Sequence, residues 1–215
     1  MHMEILVEDF SGKALLESLL PKMVKEGHYY RLHSYKGLGN LPNDLKGDAD
    51  PSLRILLDRL PKLLNGYGNT FKNQPNNPSS VMVVCDLDRR CPKKFRDQLM
   101  LLYNNLNNKP ITKFCLAVQE IEAWYLGDLQ ALEKAFPGKI GQLKKMGNPD
   151  QLNDTWEFLA DAIYPGGNKE LKKHNVGEVK YQWAKKIGPL MDIENNQSAS
   201  FQYFKKKIEE LCNMG

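Results

Sequence analysis

Residues Val81-Met82-Val83-Val84-Cys85 form an apolar run with no polar residue between them. A strand with one wet face alternates apolar and polar side chains. A continuous run of β-favouring residues therefore predicts a strand covered on both faces, as in a parallel sheet. Parallel neighbours cannot be joined by a tight hairpin and need crossover connections, usually helices.

The first two-thirds of the chain has the pieces for such crossovers. A short apolar run over 4–8 predicts a first strand. It is followed by a helical spacing of Leu15, Leu16, Leu19, Leu20, Met23 and Val24, which Pro21 is expected to kink or shorten. Residues 29–33 (Tyr-Tyr-Arg-Leu-His) favour a second strand, and Lys36 to Pro42 reads as a loop. Leu53, Leu56, Leu57, Leu60 and Leu64 predict a helix over 52–65, and Asn73-Gln74-Pro75-Asn76-Asn77-Pro78 marks a polar loop. After the 81–85 strand come a helix over 95–106, a strand over 113–118 and a helix over 120–132. The expected fold is an α/β, Rossmann-like core with a mainly parallel sheet of about four strands flanked by helices.

Residues 133–215 read differently. Helical patterns over 155–163, 179–187 and 201–211 are separated by Pro137-Gly138, Pro165-Gly166-Gly167 and Gly188-Pro189. The expected division is a core over 1–132 and a mainly helical extension over 133–215 packed on it.

Composition sets limits on partners and compartment. Hydrophobic residues make up 41% and charged residues 26%, values of a folded globular chain. A net charge of +4 is compatible with a polyanionic partner without requiring one. No apolar stretch approaches the ~20 residues that span a bilayer, and Met1-His2-Met3-Glu4 begins no signal segment. A cytoplasmic protein with no membrane partner is expected. Cys85, Cys91, Cys115 and Cys212 contain no CxxC pair, so zinc is not expected and all four are read as structural.

The carboxylates carry the functional signal. Glu8 closes the first strand, and Asp86 and Asp88 directly follow the third. Ligands of open parallel sheets bind outside the carboxyl ends of the strands, which places these three on one rim. Crowded carboxylates repel unless a cation lies among them, and a few hard oxygen ligands suit Mg²⁺ or Mn²⁺. Glu120 and Glu122 follow the fourth strand. Glu122 is the favoured fourth ligand because Ala123-Trp124 carries it into an apolar turn, where a carboxylate needs a partner. Lys36, Arg89 and Arg90 are candidates for holding phosphate oxygens, with Lys93 and Lys94 nearby. Against these readings, a DxD after a strand is a frequent accident, and single surface cations are usually only solvated.

A glutamate after strand one and a DxD after strand three resemble the Toprim pattern of topoisomerases, bacterial primases and OLD nucleases. Leu6-Val7-Glu8-Asp9, Asp86-Leu87-Asp88 and Glu120-Ile121-Glu122-Ala123-Trp124 more specifically resemble a Toprim-related domain-of-unknown-function family (4276). Asp161 to Gly167 and Glu194 to Phe201 resemble the same family, so the likeness covers nearly the whole chain. The resemblance implies metal binding by Asp86 and Asp88, a general acid/base or metal-bound Glu8, and an extra acidic ligand at Glu122. It implies a Mg²⁺- or Mn²⁺-dependent nuclease acting on nucleic acid, with a role in phage defence beside a partner ATPase. The alternatives are a catalytically degenerate module that binds nucleic acid or a protein, and, more distantly, a phosphatase. One departure is Asp9, which stands where Toprim proteins usually have a glycine, and this implies less room for backbone approach.

Other motifs carry less. Asp86-Leu87-Asp88 resembles the DxD of haloacid-dehalogenase phosphatases, but it follows the third strand and is succeeded by Arg89-Arg90. Ser11-Gly12-Lys13 lacks phosphate-loop spacing, and Gly37-Leu38-Gly39 lacks the rest of a dinucleotide fingerprint. The four histidines show no metal-ligand spacing, and Trp124, Trp156 and Trp183 are read as core anchors.

Overall fold

The computed structural model describes residues 1–42, 50 and 52–214. Its sheet contains β1 (His2–Val7), β2 (Tyr29–Ser34), β3 (Ser79–Asp86) and β4 (Ile111–Ala117). All neighbours pair in parallel, in the order β2-β1-β3-β4. The chain is thus α/β, with a four-stranded parallel sheet flanked by helices. Among the described residues no helix is long and apolar enough to cross a membrane.

The unbroken apolar run of β3 has the predicted cause. Met82 and Val84 face one hydrophobic cluster, while Val81, Val83 and Cys85 face a second. The first cluster is filled by α1 (Phe10–Met23), α8 (Val176–Ile187) and α9 (Ala199–Cys212), with Leu15, Leu19, Trp183, Ile187, Phe204 and Ile208 among its members. The second is filled by α2 (Leu56–Lys72) and α3 (Pro92–Asn104). Residues of the C-terminal third therefore share one core with the sheet.

Several boundaries differ from the sequence reading, each for a local reason. α2 begins at Leu56, since Ser52 and Leu53 lie in a turn with Leu53 exposed. It continues past residue 65 to Lys72 despite Gly66 and Gly68. Gly68 costs helix propensity, but a Cβ there would stand 2.2 Å from the Asn108 carbonyl oxygen, so only glycine lets the helix approach that turn. The predicted helix over 120–132 is two helices, α4 (Glu122–Leu126) and α5 (Leu129–Ala135). Asp128 divides them: its Oδ1 accepts from Ala131 N at 2.9 Å as a helix cap, and its Oδ2 accepts from Asp192 N at 2.7 Å. Pro21 sits in the last turn of α1, which ends two residues later. Beyond α6 (Thr155–Ile163) lies a short helix, α7 (Gly167–Leu171), that periodicity did not reveal.

Trp124 joins the two parts of the chain. Its ring stacks on Phe204 at 5.1 Å and meets Phe201 edge-on at 5.5 Å, and its Nε1 donates to Ser200 Oγ at 2.9 Å. Trp183 is also buried, whereas Trp156, half-buried under Lys172, packs on the margin of the same core. Cys91 likewise is exposed, unlike the buried Cys85, Cys115 and Cys212.

The chain leaves β1 toward β2 on one side and leaves β3 toward β4 on the other. The carboxyl ends of β1 and β3 therefore flank the point where the winding reverses, the usual ligand crevice of an open α/β sheet.

Candidate active site

Val7 pairs with Val84 in the sheet register, so Glu8 emerges beside Cys85 and Asp86. The Glu8 carboxylate accepts a hydrogen bond from the Asp86 backbone N–H at 3.1 Å. Asp86 in turn directs its Oδ1 at the N–H of Ile121 at 2.9 Å, tying the end of β3 to the entry of α4. That turn sets the next carboxylate, Glu122, fully inside the protein.

Glu122 meets Lys180 of α8, whose Nζ lies 3.1 Å from Oε1. The contact is a buried ion pair on Oε1, while Glu122 Oε2 and the buried hydroxyl of Tyr125 nearby have no hydrogen-bond partner among the described residues. Burial pushes Glu122 up to about 7, with Lys180 opposing and Glu120 and Asp9 adding to the rise. Burial also pushes Glu8 up to about 7, against the Asp86 N–H and with help from Asp88 and Asp9. Asp86 is driven well above the carboxylate range by burial and by Glu8, with Lys180 pulling the other way. Burial alone would lower Lys180, yet Glu122, Asp86 and Glu120 hold its ammonium above the usual lysine range. One cation thus faces several carboxylates.

Asp88 behaves differently. Its backbone is left-handed (φ 51°), its N–H donates to Gln119 O at 2.6 Å, and its half-exposed carboxylate pairs with Arg90 at 2.8 Å. It lines an open cavity of about 550 Å³ with Arg89, Arg90, Glu120, Trp156 and Glu157. It remains near enough to Glu8 to raise that group's proton affinity. Glu120 is committed to structure, accepting from Thr155 Oγ1 at 2.8 Å and Trp156 N at 3.1 Å at the start of α6.

The cationic candidates lie around the rim. Arg89 is largely exposed and pairs with Asp154 at 2.9 Å, while Arg90 is shared between Asp88 and the face of Phe95. Lys36 is exposed, one residue before Gly37, whose N–H donates to the Glu8 carbonyl at 3.1 Å.

The backbone of Asp9 does not crowd this centre, although its charge adds to the rise of Glu8, Asp86 and Glu122. Its extended backbone (φ −144°) needs no glycine, and its Oδ1 caps α1 through Gly12 N at 2.7 Å. The tight position is Gly12, where a Cβ would stand 2.8 Å from Val7 Cγ1.

Lys180 is the residue that sequence reasoning missed. Its signal was present: Val176, Lys180, Trp183 and Ile187 repeat at helical spacing, which puts a lysine on the buried stripe of α8.

The donor set fits a hard divalent cation in chemistry, since it is all oxygen and includes the fully buried Glu122 carboxylate, whose Oε2 has no hydrogen-bond partner among the described residues. In the present rotamers, among the described residues, no three Asp, Glu, His or Cys side chains converge closely enough to enclose an ion.

A family model described as a domain of unknown function (DUF4276) matches residues 7–211. No curated protein and no solved structure matches the chain.

Proposed function

The chain belongs to the DUF4276 family, and we propose that it is a Mg²⁺- or Mn²⁺-dependent hydrolase of phosphodiesters, a nuclease resembling Toprim enzymes. The observation that carries this reading is the buried Glu122 carboxylate. Its one charged contact among the described residues is Lys180, it lies near enough to Asp86 to raise that group's proton affinity, and Glu8, Asp86 and Glu122 all have raised proton affinity. Such a set lowers its energy by gaining positive charge.

Asp86, Glu122 and Glu8 would hold the cation, with Asp88 joining by exchanging its Arg90 partner. When bound, the ion would supply charge for the transition state and a more acidic water. If Glu8 stays outside the ion's shell, it would instead take a proton from an attacking water and return it to the leaving oxygen. Arg89, Arg90 and Lys36 at the rim would seat the phosphate chain on the open side. Work beside a partner ATPase in phage defence is the biological setting that the Toprim resemblance implies.

One observation favours a second reading. Lys180 already supplies the centre with an internal cation, as expected of a module that binds a partner or nucleic acid without cutting. Incubating plasmid, single-stranded DNA and RNA with Mg²⁺ or Mn²⁺ separates the two readings, with the Asp86→Ala/Asp88→Ala variant as control. Cleavage that the variant loses supports the hydrolase. Titration calorimetry showing no Mn²⁺ binding by the wild type would overturn it in favour of the binding module.

A further inference from the structure

A second groove, of about 1090 Å³, runs along the free edge of the sheet. β4 pairs only with β3, so its outer edge has no strand neighbour among the described residues. Phe114 and Leu116 reach the groove from one face of β4 and Lys113 from the other, so the groove straddles the edge itself. α3 forms one wall through Met100, α9 the other through Tyr203, and the turn at Pro149–Gln151 closes one end.

Unpaired edges usually carry charges, prolines or a covering element that discourages pairing. β4 has seven residues, no proline and one charge, Lys113, which is occupied by Glu210 at 3.0 Å. Ile111, Met100 and Tyr203 stay exposed around it.

The charge of the lining selects the occupant. Lys93, Arg96, Lys113 and Lys207 face the groove against Asp97 and Asp150. Asp150 is held in place by Ser198 Oγ and the N–H and hydroxyl of Ser200 and keeps its charge, and Lys113 and Lys207 share the single carboxylate of Glu210. Lys93 and Arg96 are exposed and have no ion-pair partner among the described residues, nor has the exposed Asp97. With Glu210 counted, four cations face three carboxylates, and the groove keeps a small positive excess. A second copy docking by two-fold pairing of β4 would set these like charges against one another.

We propose that the free edge of β4, between α3 and α9, captures an extended acidic segment of a partner protein as a fifth strand. Backbone hydrogen bonds would supply affinity, and the cations and apolar walls would supply choice of sequence. The seven residues of β4 match a segment of roughly 20 Å at ~3.3 Å per residue. This inference does not depend on the acidic centre being catalytic.

The test uses the full chain and a fluorescein-labelled peptide of about ten residues alternating valine and glutamate, a length that covers β4. Anisotropy should report binding that weakens roughly tenfold or more when lysine replaces glutamate or when alternate residues become proline. Hydrogen exchange should slow over 111–117 upon binding, and Lys93→Glu/Arg96→Glu should weaken binding by a similar factor at unchanged melting temperature. Any of four results would overturn the proposal: no binding of the acidic peptide, indifference to charge reversal, protection outside β4, or protection of β4 by oligothymidylate. Concentration-dependent dimerisation that alone protects β4 would assign the edge to a second copy instead.

Discussion

The ammonium of Lys180 lies 3.1 Å from Oε1 of Glu122, a carboxylate with no exposed surface, although the two stand far apart in sequence. Removing water from both charges is costly, and their attraction recovers that cost only while both are present.

Lys180→Met should therefore destabilise the protein by about 3–5 kcal/mol, the usual penalty for orphaning a buried charge. Adding Glu122→Gln should recover much of the loss, because an amide is far cheaper to bury than an unpaired carboxylate. Urea unfolding of the two variants measures both effects, and a neutral Lys180→Met would refute the pairing.

Stability should fall as pH rises. Glu8 and Glu122 sit near 7 when folded against an ordinary value of 4.5, so the folded state binds more protons between these limits. Their contribution is most favourable below 4.5, declines as pH rises through that window, and is at its worst above about 7. The thermal midpoint is expected to drop between about pH 5 and pH 8, and Asp86→Asn should flatten the slope. If Mn²⁺ binds the folded state as proposed, adding it at the alkaline end should raise the midpoint.

Gly12→Ala should cost about 1–3 kcal/mol, since the new methyl meets Val7 Cγ1 at 2.8 Å one residue before Glu8. Differential scanning calorimetry reads the stability. Mn²⁺ titration of the folded variant should also show weaker binding if Glu8 is a ligand.

Trp124→Ala should cost about 3–5 kcal/mol, because the indole fills the space between Phe201 and Phe204. Trp124→Phe should cost much less, as Ser200 Oγ keeps a second partner in Asp150 at 3.0 Å. Guanidinium unfolding of both variants distinguishes packing from the lost hydrogen bond.

The sheet was legible because burial on both faces leaves a direct mark on sequence: Val81 to Cys85 could be nothing but a covered strand, and the other strands fell into place around it. The break at Asp128 was not legible, because it depends on an aspartate whose second oxygen is held by a residue far along the chain, Asp192. Strand ends placed Glu8 and Asp86 together, since register follows from pairing. They could not orient Asp88, whose left-handed backbone turns its carboxylate to Arg90. The lysine opposite Glu122 was visible only as one polar residue on an apolar stripe. Its partner came from a different part of the chain, which periodicity within a helix does not report.

The reach of Lys180 across the chain imposes an order on assembly during synthesis. A ribosome delivers Glu8, Asp86 and Glu122 well before α8 exists, so the nascent rim has its acids without the lysine that balances them. Trp124 of α4 likewise waits for Phe201 and Phe204, which come later still. A chain interrupted before α8 would therefore hold its acids at the sheet end without the cation that faces them.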